Sequence, residues 1–411
     1  MSATGAIMAN SLLTIDMITR EAIMLFRNSN AFIQNLDRQY DDQFANDGAK
    51  IGYNLRIRLP NDYTVRTGPA MQVQDTQEQS TTLVVSTQKG VDVGFSTSQR
   101  TMQMDDYSER VLAPMINNLA GDVAQTIMRG VEGGVSNYVA NTDGSGAIAN
   151  PTSRTILESG AMLDTRSAPM AGRNVVTSPW TMAHLVETMQ GLFNPTNTIS
   201  KQFDTAVIYK ALNFRWFSDQ TVLVHTTGTF SAGTINGAGQ SGTTLVTNAI
   251  TGTLRAGDII TIAGVNSVNR VTKADDGMLQ QFVVTANVPS GATSIPIYPA
   301  VIGPAPDGSA VQYQTCASTP ANGAAISLVN QASEQYRKNV AYAPGAITMV
   351  TADLIMPKKV EEAARERFDS LSMRMITAYI PGTDQLVTRL DILFGYLFIR
   401  PEWTVAIPDT V

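Results

Sequence analysis

The residues with the most versatile chemistry are few in this sequence of 411 residues, which contains two histidines, His184 and His225, and one cysteine, Cys316. Neither histidine has a cysteine, aspartate or glutamate at the spacing typical of metal ligands, which favours core or surface histidines over a metal site. Cys316 lies in a polar TCAS stretch. Because no basic neighbour is there to lower the pKa of its thiol, a catalytic thiolate is not expected.

Two further motifs fit known binding sites only in part. Gly237-Ala-Gly239-Gln-Ser-Gly242 has the spacing of a dinucleotide-binding loop, but the following TTLVTNAI has a strand pattern instead of the required helix. Asp275-Asp276-Gly277 lacks the spaced oxygen ligands of a calcium loop and is typical of a hairpin turn. The motifs GxSxG, HExxH and GxxxxGK(S/T) do not occur. The sequence therefore predicts no enzyme, no metal site and no cofactor.

The composition of the chain excludes several classes of protein. The chain has 29 basic and 35 acidic residues, a formal charge of -6, which argues against a protein whose main task is to grip nucleic acid. The same charge suits a surface that lies near packed DNA without adhering to it. One cysteine excludes an intramolecular disulfide and fits a reducing cytosol. Since no apolar run reaches the roughly 18 residues of a membrane span, we expect a soluble protein without a membrane partner.

The N-terminal stretch predicts an amphipathic helix from about Leu12 to Arg27. Ile15, Ile18 and Phe26 recur at helical spacing on its apolar side. Such a helix either packs on its own domain or acts as an arm that docks on a neighbouring subunit. Both interpretations stay open from the residues alone.

Next, a change to period two predicts strands. Alternating apolar residues are Leu55, Ile57, Leu59, Leu83, Val85, Val91, Val93 and Phe95. Residues 69–80 between them have almost nothing to bury, so we expect a long two-stranded arm. An isolated hairpin is only marginally stable in water, and its cover must come from elsewhere in the chain or from another subunit.

This predicted arm also carries a group of cations. They are Arg56, Arg58, Arg66 and Lys89. They either form a solvated strand edge or meet acidic groups of a neighbour. We consider these four cations, together with Ile15, Ile18 and Phe26, as candidates for inter-subunit contacts.

The longest helical pattern runs from Asp105 to Ala140, with Asp105 and Asp106 as candidate N-caps and Pro114 near the start. Its apolar residues return every fourth position, so the stripe rotates by about 40° per step and different neighbours must cover it. A small α/β unit follows, with helices over 153–167 and 179–193 and strands over 174–177 and 213–224. It contains no recognisable active-site motif.

The rest of the chain changes character twice. Only seven of the 98 residues from Thr226 to Gly323 are charged, and short strand patterns with turn signals there indicate an inserted β-barrel or sandwich. The segment 357–372 has charge pairs four residues apart, typical of a solvated helix or turn. Alternating patterns around 373–379, 388–394 and 403–407 predict strands, for which the long helix is the obvious packing surface.

At this point the sequence resembles a known family, the major coat proteins of short-tailed bacteriophages, of the Salmonella phage type with an inserted domain. The similar segments are ITREAI within 15–23, QYDDQFANDGAKIGYNLRIRLPNDYTVRTG (39–68), TQKGVDVGF (87–95), FRWFSDQTVLVHTTGT (214–229), TADLIMPKKVEEAARERFDSLSMRMITAYI (351–380) and TRLDILFGYLFIRPEWTVAI (388–407). In the inserted part only TLRAGDIITIAGV (253–265) is similar. The end of the chain also resembles the broader Hong Kong 97 capsid fold.

The resemblance implies an α+β fold of the Hong Kong 97 capsid type with an inserted β-barrel domain. The implied divisions are an N-terminal arm (1–50), an extended hairpin loop (51–96), a peripheral domain with the spine helix (97–152 and 353–411), an axial domain (153–225 and 341–352) and the inserted barrel (226–340). The barrel would stabilise the subunit during folding.

The implied function is that of a major capsid protein. Copies would form pentamers and hexamers of an icosahedral shell around double-stranded DNA, assembled in the host bacterial cytoplasm. The implied partners are an internal scaffolding protein, which guides a precursor that later expands, and a portal protein at one vertex. DNA would lie nearby without sequence-specific binding.

Two alternatives remain at this stage. A shell protein of a bacterial compartment that encloses enzymes, of the encapsulin type, has the same fold and would show the same pattern. A carbohydrate-active or adhesive β protein is disfavoured by the long helix and by the absence of a recognisable pair of catalytic carboxylates.

Overall fold

A computed structural model of the protein describes residues 15–38, 54–96 except 67, 72 and 77, 111–189, and 210–411 except 358, 359, 361, 369, 370, 383 and 384. Its helices are α1 (Ile15–Ser29), α2 (Ala31–Gln34), α3 (Ala113–Gly134), α4 (Ser153–Thr165) and α5 (Pro179–Met189), with a 3₁₀ turn at Pro401–Trp403. The predicted α+β class is confirmed.

In the described part of the chain, more residues lie in strands than in helices. In chain order they are β1 (Asn54–Arg58), β2 (Ser80–Val84), β3 (Thr87–Ser96), β4 (Asn137–Tyr138), β5 (Asn141–Thr142), β6 (Ile148–Ala149), β7 (Asn174–Thr177), β8 (Lys210–Ala211), β9 (Phe214–Ser218), β10 (Val224–Thr226), β11 (Gly233–Thr234), β12 (Gly242–Val246), β13 (Ile259–Val268), β14 (Asp275–Val284), β15 (Ser294–Val301), β16 (Ala325–Leu328), β17 (Gln335–Tyr342), β18 (Ile347–Ala352), β19 (Glu362–Phe368), β20 (Leu371–Ile380), β21 (Gln385–Phe398) and β22 (Thr404–Thr410).

Helix α3 is the spine of the main core. It buries residues on a broad face: Met115, Ile116, Leu119, Ala120, Val123, Ala124, Ile127, Met128 and Val131. The helices α1 and α2 and the strands β3, β14 and β21 contact it, so the prediction that different neighbours cover the helix is confirmed. Pro114 lies in the first turn, where its missing amide hydrogen breaks no helical hydrogen bond.

The predicted C-terminal end of this helix, Ala140, is wrong. The helix ends at Gly134, Val135 is extended, and Asn137–Tyr138 form strand β4 beside β22. Consecutive glycines at the end of a helix favour termination, because they have the lowest helix propensity after proline. The candidate N-caps Asp105 and Asp106 lie outside the described residues.

The sheet under α3 is built around the 14-residue strand β21. Strand β3 pairs along one of its edges, and β20 and β18 pair along the other, with β19 outside β20. Strand β3 therefore belongs to this sheet and not to the hairpin arm, in which the sequence pattern predicts it. All of these pairs are antiparallel.

The helix or turn predicted for 357–372 is also wrong, because residues Glu362–Phe368 form strand β19, paired with β20. Of the expected i,i+4 charge pairs, the members Lys358 and Glu361 lie outside the described residues. Arg365 and Arg367 both contact the carboxylate of Asp353 on the neighbouring loop. Helix α1 packs against β19 and β20, and this contact together with the pairing of β19 with β20 overrides the helical pattern of its charges.

A second sheet has the order β4-β22-β17-β7-β9-β8, with β10 also paired to β17. The predicted strand 174–177 and the helix start at Pro179 are confirmed. Thr152, rather than Ser153, caps α4, because its Oγ1 accepts the amide hydrogen of Thr155 at 3.4 Å. The strand predicted over 213–224 divides into β9 and the start of β10, with a turn between them.

The third sheet has the order β11-β16-β13-β14-β15-β12, and we call residues 233–328 the six-stranded region. It has its own core, formed by Phe230, Ile235, Leu245, Ile260, Phe282, Ile295 and others. A closed barrel stays a prediction. The turn expected at Asp275-Asp276-Gly277 lies just upstream, at residues 269–274, and those three residues begin strand β14.

Candidate assembly interface

The hairpin β1–β2 stands on the sheet of β18 and β21. Its two strands pair antiparallel over five residues each. The inward side chains Ile57, Leu83 and Val85 are buried and form a small separate core with Val350 and Ile399. An isolated hairpin is stable only when other residues cover its apolar side. Val350 and Ile399 of the same chain supply part of this cover.

The hairpin crosses β21 at a glycine. A Cβ atom on Gly395 would lie 2.2 Å from the carbonyl oxygen of Val84 and 3.0 Å from the Cα of Val85. Real Cβ atoms do not approach backbone atoms this closely, so only glycine permits the crossing. The base of the hairpin is therefore fixed by backbone contact as well as by its apolar core.

Beyond this base, the loop that joins β1 to β2 exposes apolar side chains, and we call residues 63–73 the tip. Val65, Met71 and Val73 are 92%, 82% and 80% exposed. The two sides of the loop are joined by Thr64, whose amide donates to Gln74 Oε1 at 2.9 Å, while the Gln74 amide nitrogen donates back to the Thr64 carbonyl. Three apolar side chains exposed to this extent make the described part of the tip a candidate interaction surface.

Three of the predicted contact cations lie on this hairpin. The Arg56 Nε donates to Ser80 Oγ at 2.7 Å, and Arg58 lies 3.7 Å from the Glu78 carboxylate with both side chains exposed. Exposed pairs of this kind contribute little stability. Arg66 donates to backbone carbonyls of the tip, including that of Ala70 at 3.0 Å. Arg56 and Arg58 thus keep charge on the outer face, whereas Arg66 shapes the tip.

Lys89 lies elsewhere than the sequence pattern suggested. It belongs to strand β3, and its ammonium group binds the carboxylate of Asp122 and the hydroxyl of Thr126, both on α3. Its side chain is 24% exposed. The structure therefore ties Lys89 to the spine helix of its own subunit, away from the hairpin tip.

The apolar face of α1 is also used inside the subunit. Phe26 is fully buried in the main core, and Ile18 is partly buried against the same core. Ile15 is the first residue of α1, and its side chain lies outside the described residues. Because a fully buried side chain offers no surface to a neighbour, the apolar groups of this helix that remain available are Met17 and Met24, which are exposed.

A cleft of about 250 Å³ lies where the hairpin, the six-stranded region and the C-terminal strands meet. Its walls contain apolar residues, the charged residues Asp62 and Arg166, and Tyr298. Burial raises the pKa of the Tyr298 hydroxyl, and the charge of Glu402 adds to this effect. Burial also lowers the pKa of the Arg166 guanidinium, with nearby Asp276 opposing it.

Both histidines have carboxylate partners that the sequence could not reveal. His184 Nδ1 lies 3.1 Å from both carboxylate oxygens of Asp409, and His225 Nε2 lies 2.8 Å from Asp258 Oδ1. These partners are 225 and 33 residues away along the chain. Among the described residues, no group of three His, Cys, Asp or Glu side chains could hold a metal ion.

Cys316 is buried in the core of the six-stranded region. Burial raises the pKa of its thiol, against a smaller opposing effect of the hydrogen bond with Thr315. A buried thiol with a raised pKa is chemically inert at neutral pH. In the part of the chain that the structure describes, no helix has the length and apolar character to cross a membrane.

Comparison with known proteins gives one match over most of the chain. Residues 8–407 match the family described as "P22 coat protein - gene protein 5". No curated protein matches the sequence.

Several solved structures that the chain resembles come from phages. One is from Mycobacterium phage Che8, with 11% identity, 92% of this chain and 90% of that chain covered, and a TM-score of 0.47. Others are the capsid of cyanophage P-SCSP1u (9% identity, 87% and 84% covered, TM-score 0.45) and the mature capsid of bacteriophage PhiM1 (10% identity, 88% and 83% covered, TM-score 0.42). Because these TM-scores are below 0.5, the assignment depends on the family match alone.

Proposed function

Because the chain belongs to the P22 coat protein family, it is a shell-forming coat protein of a bacteriophage, and we propose from that premise how its copies assemble. Pentamers and hexamers close into an icosahedral shell around the double-stranded DNA of a tailed phage. Assembly takes place in the host cytoplasm on an internal scaffolding protein, with a portal protein at one vertex. The precursor shell expands as DNA enters.

The observation that carries this proposal is the hairpin tip. Val65, Met71 and Val73 are almost fully exposed, and the pair of hydrogen bonds between Thr64 and Gln74 joins the two sides of the loop that holds them. Burying three such side chains on a second copy would contribute about 1.5–3 kcal/mol each. The tip therefore has the character of a preformed contact that only a neighbour completes.

The charges on the hairpin define which neighbouring surface fits. Arg56 and Arg58 point away from the small core that holds the base, and both are exposed. We assign their contact to acidic groups of a neighbouring copy, in an interface that salt weakens. On α1, the exposed Met17 and Met24 are the apolar contact candidates, in place of the buried Phe26.

The remaining features fit a structural protein that performs no catalysis. The His184–Asp409 and His225–Asp258 pairs each join separate segments of the chain, so their role is to hold those segments together. The formal charge of -6 keeps the interior surface from adhering to DNA. Packaged DNA is thus a neighbour of the shell and not a sequence-specific ligand.

A bacterial compartment shell is the second candidate. The family match over residues 8–407 favours the phage coat protein. A compartment shell would close without a scaffold, so the presence or absence of that requirement separates the two functions.

The test is expression of the full chain, alone and together with the candidate scaffolding protein encoded beside it, followed by sedimentation and electron microscopy. We expect closed shells of uniform diameter in the presence of the scaffold. A protein that stays monomeric at all concentrations and with every candidate scaffold would overturn the proposal.

The interface is tested by replacing Val65 and Val73 together with aspartate, and by the matched control in which both become threonine, which has the shape of valine without a charge. Since both side chains are exposed, neither variant should change the urea midpoint of the subunit. The aspartate variant should lose shell assembly, and the threonine variant should retain it. Normal shells from the aspartate variant would exclude the tip from the interface.

A further inference from the structure

The turn between β13 and β14 is held in one conformation by its own hydrogen bonds. The Asn269 carboxamide oxygen accepts the amide hydrogens of Val271 (2.9 Å) and Thr272 (3.1 Å), and the Lys273 amide donates to the Asn269 carbonyl at 2.8 Å. Lys273 has a φ of 57°, a conformation that non-glycine residues adopt only where the surroundings impose it. The turn is thus a rigid support for the two cations that it carries, Arg270 and Lys273.

Lys273 binds the hairpin. Its Nζ lies 2.6 Å from Asp62 Oδ2, and the two side chains are only 4% and 18% exposed. A pair this far removed from water is less screened than a surface pair, and loss of either partner leaves an uncompensated charge. The six-stranded region therefore holds the loop of the hairpin at one defined point.

Arg270 extends this contact to the C-terminal segment. Its Nε lies 3.8 Å from Asp62 Oδ2, and its Nη1 lies 2.6 Å from Glu402 Oε1. Glu402 Oε1 in turn lies 3.4 Å from Arg400 Nη1, and the Arg400 guanidinium lies over the Trp403 ring, 4.5 Å from its centroid. One turn of the six-stranded region thus joins the hairpin to the strand end that leads into β22.

Two neutral contacts support the same junction. The Asp62 amide lies 3.4 Å from the Tyr313 hydroxyl, and the Gln312 side-chain amide donates to the Asp75 carbonyl at 3.0 Å. Between these polar contacts and the small core under β1 and β2 lies the cleft of about 250 Å³. Because side chains do not fill this junction as they fill a core, polar contacts rather than packing determine the angle between the loop and the six-stranded region.

We propose that the turn 269–274 is a clamp by which the six-stranded region sets the angle of the hairpin, and so the curvature at which neighbouring copies join. This inference depends on the proposed assembly through the hairpin. With the clamp closed, the tip points in one direction in every copy. With the clamp open, the hairpin pivots on its base and copies associate at varied angles.

The test uses Lys273→Met, which keeps the length of the side chain and removes its charge, and Asp62→Asn, which keeps its shape. The conservative variant Lys273→Arg keeps a positive charge beside Asp62. The matched control is Arg154→Met, which breaks the exposed Arg154–Glu158 pair on α4. The full chain is used throughout, under the conditions in which the wild type forms shells.

Two measurements are made on each variant. Hydrogen exchange in β1 and β2 should become about tenfold faster in both single variants, because the hairpin then opens locally more often. Electron microscopy should find open sheets and shells of mixed diameter in place of uniform shells. The control should match the wild type in both measurements, and Lys273→Arg should keep most of the uniform shells.

Uniform shells and unchanged exchange in Lys273→Met would overturn the clamp. If one single variant fails to fold, far-UV circular dichroism detects it, and the other single variant then decides: a folded variant with uniform shells and unchanged exchange also overturns the clamp. Failure of the wild type itself to form shells would refute the assembly proposal instead, so the two outcomes are distinguishable.

Discussion

Replacing Gly395 by alanine tests whether the hairpin is fixed by the crossing of its backbone over β21. The new methyl group would meet the Val84 carbonyl oxygen at 2.2 Å. Since the obstacle is backbone, no rotamer change relieves the clash, and the base of the hairpin must lift from the sheet. We expect this movement to expose part of Leu83 and Val85, which are 0% and 3% exposed in the native protein.

The size of the effect follows from two destabilising contributions and one stabilising contribution. Overpacking of a well-packed site costs about 1–3 kcal/mol, and partial exposure of two aliphatic side chains adds about 1–2 kcal/mol. Removing a glycine from a strand gives back about 0.5–1 kcal/mol. The free energy of unfolding should therefore fall by about 1–4 kcal/mol, measured by urea denaturation of the unassembled subunit.

Gly94→Ala is the matched control, because Gly94 lies in the adjacent strand β3 and a Cβ there would have its nearest neighbours at 3.7 Å. This variant should be as stable as the wild type or slightly more stable. Faster hydrogen exchange confined to β1 and β2 would locate the effect of Gly395→Ala in the hairpin. Equal stability of the two alanine variants would refute the reasoning, because the two sites differ only in the space available.

Three further predictions concern the body of the subunit. Gly130→Ala should reduce the free energy of unfolding by up to about 2 kcal/mol, because a Cβ 2.3 Å from the Tyr396 ring costs about 1–3 kcal/mol against a gain of about 1 kcal/mol in helix propensity. Urea denaturation measures this change, and a variant more stable than the wild type would contradict the prediction. The Cys316 thiol, buried and with a raised pKa, should react with an aromatic disulfide reagent only as fast as the protein unfolds, and rapid reaction of the native protein would disprove this. Burial favours a higher pKa for Asp353, but hydrogen bonds from Arg367 and Ser372 and the charges of the neighbouring arginines outweigh burial and lower the pKa. The stability that this shift contributes is present above the unfolded pKa of about 4 and is lost as the pH falls through the native pKa. The difference in urea midpoint between the wild type and Asp353→Asn should therefore shrink on acidification and not grow.

The sequence predicted most elements whose signal is local. The strand at 174–177 and the helix start at Pro179 have the observed bounds, since a buried apolar run and a proline at the first helical turn are local features. The end of α3 was missed because the apolar spacing continues through Val135 and Val139, although the backbone becomes extended after Gly134. Apolar spacing alone does not report where a chain leaves the helix.

The misassigned segment at 357–372 has a different cause. Its charge pairs at four-residue spacing are typical of a helix, yet each such pair contributes only about 0.2–0.5 kcal/mol. Pairing with β20 over seven residues and contact with α1 outweigh that preference. Tertiary packing therefore decides the conformation, and no local pattern reveals it.

The candidate site shows the same limit. Exposed cations on alternating positions of β1 were visible in the sequence. The apolar tip was missed, because residues 69–80 were expected to have almost nothing to bury although Met71 and Val73 lie among them. The pair of Asp62 and Lys273 was not, because 211 residues separate its members and each is an ordinary charged residue in a turn-rich stretch. Contacts between distant charges carry no periodic signal.

The two ends of the hairpin are held by different kinds of interaction, and this difference separates stability from assembly. At the base, Leu83 and Val85 are buried and the backbone crosses Gly395, so a substitution there acts on the folded subunit itself. Further along the loop, Asp62 is held mainly by charge, and the tip exposes Val65 to solvent. Apolar packing is non-directional, whereas an ion pair on a rigid turn fixes one orientation. A variant of the base should therefore change the urea midpoint before it changes the shell. A variant of the tip should change the shell and leave the midpoint unaltered.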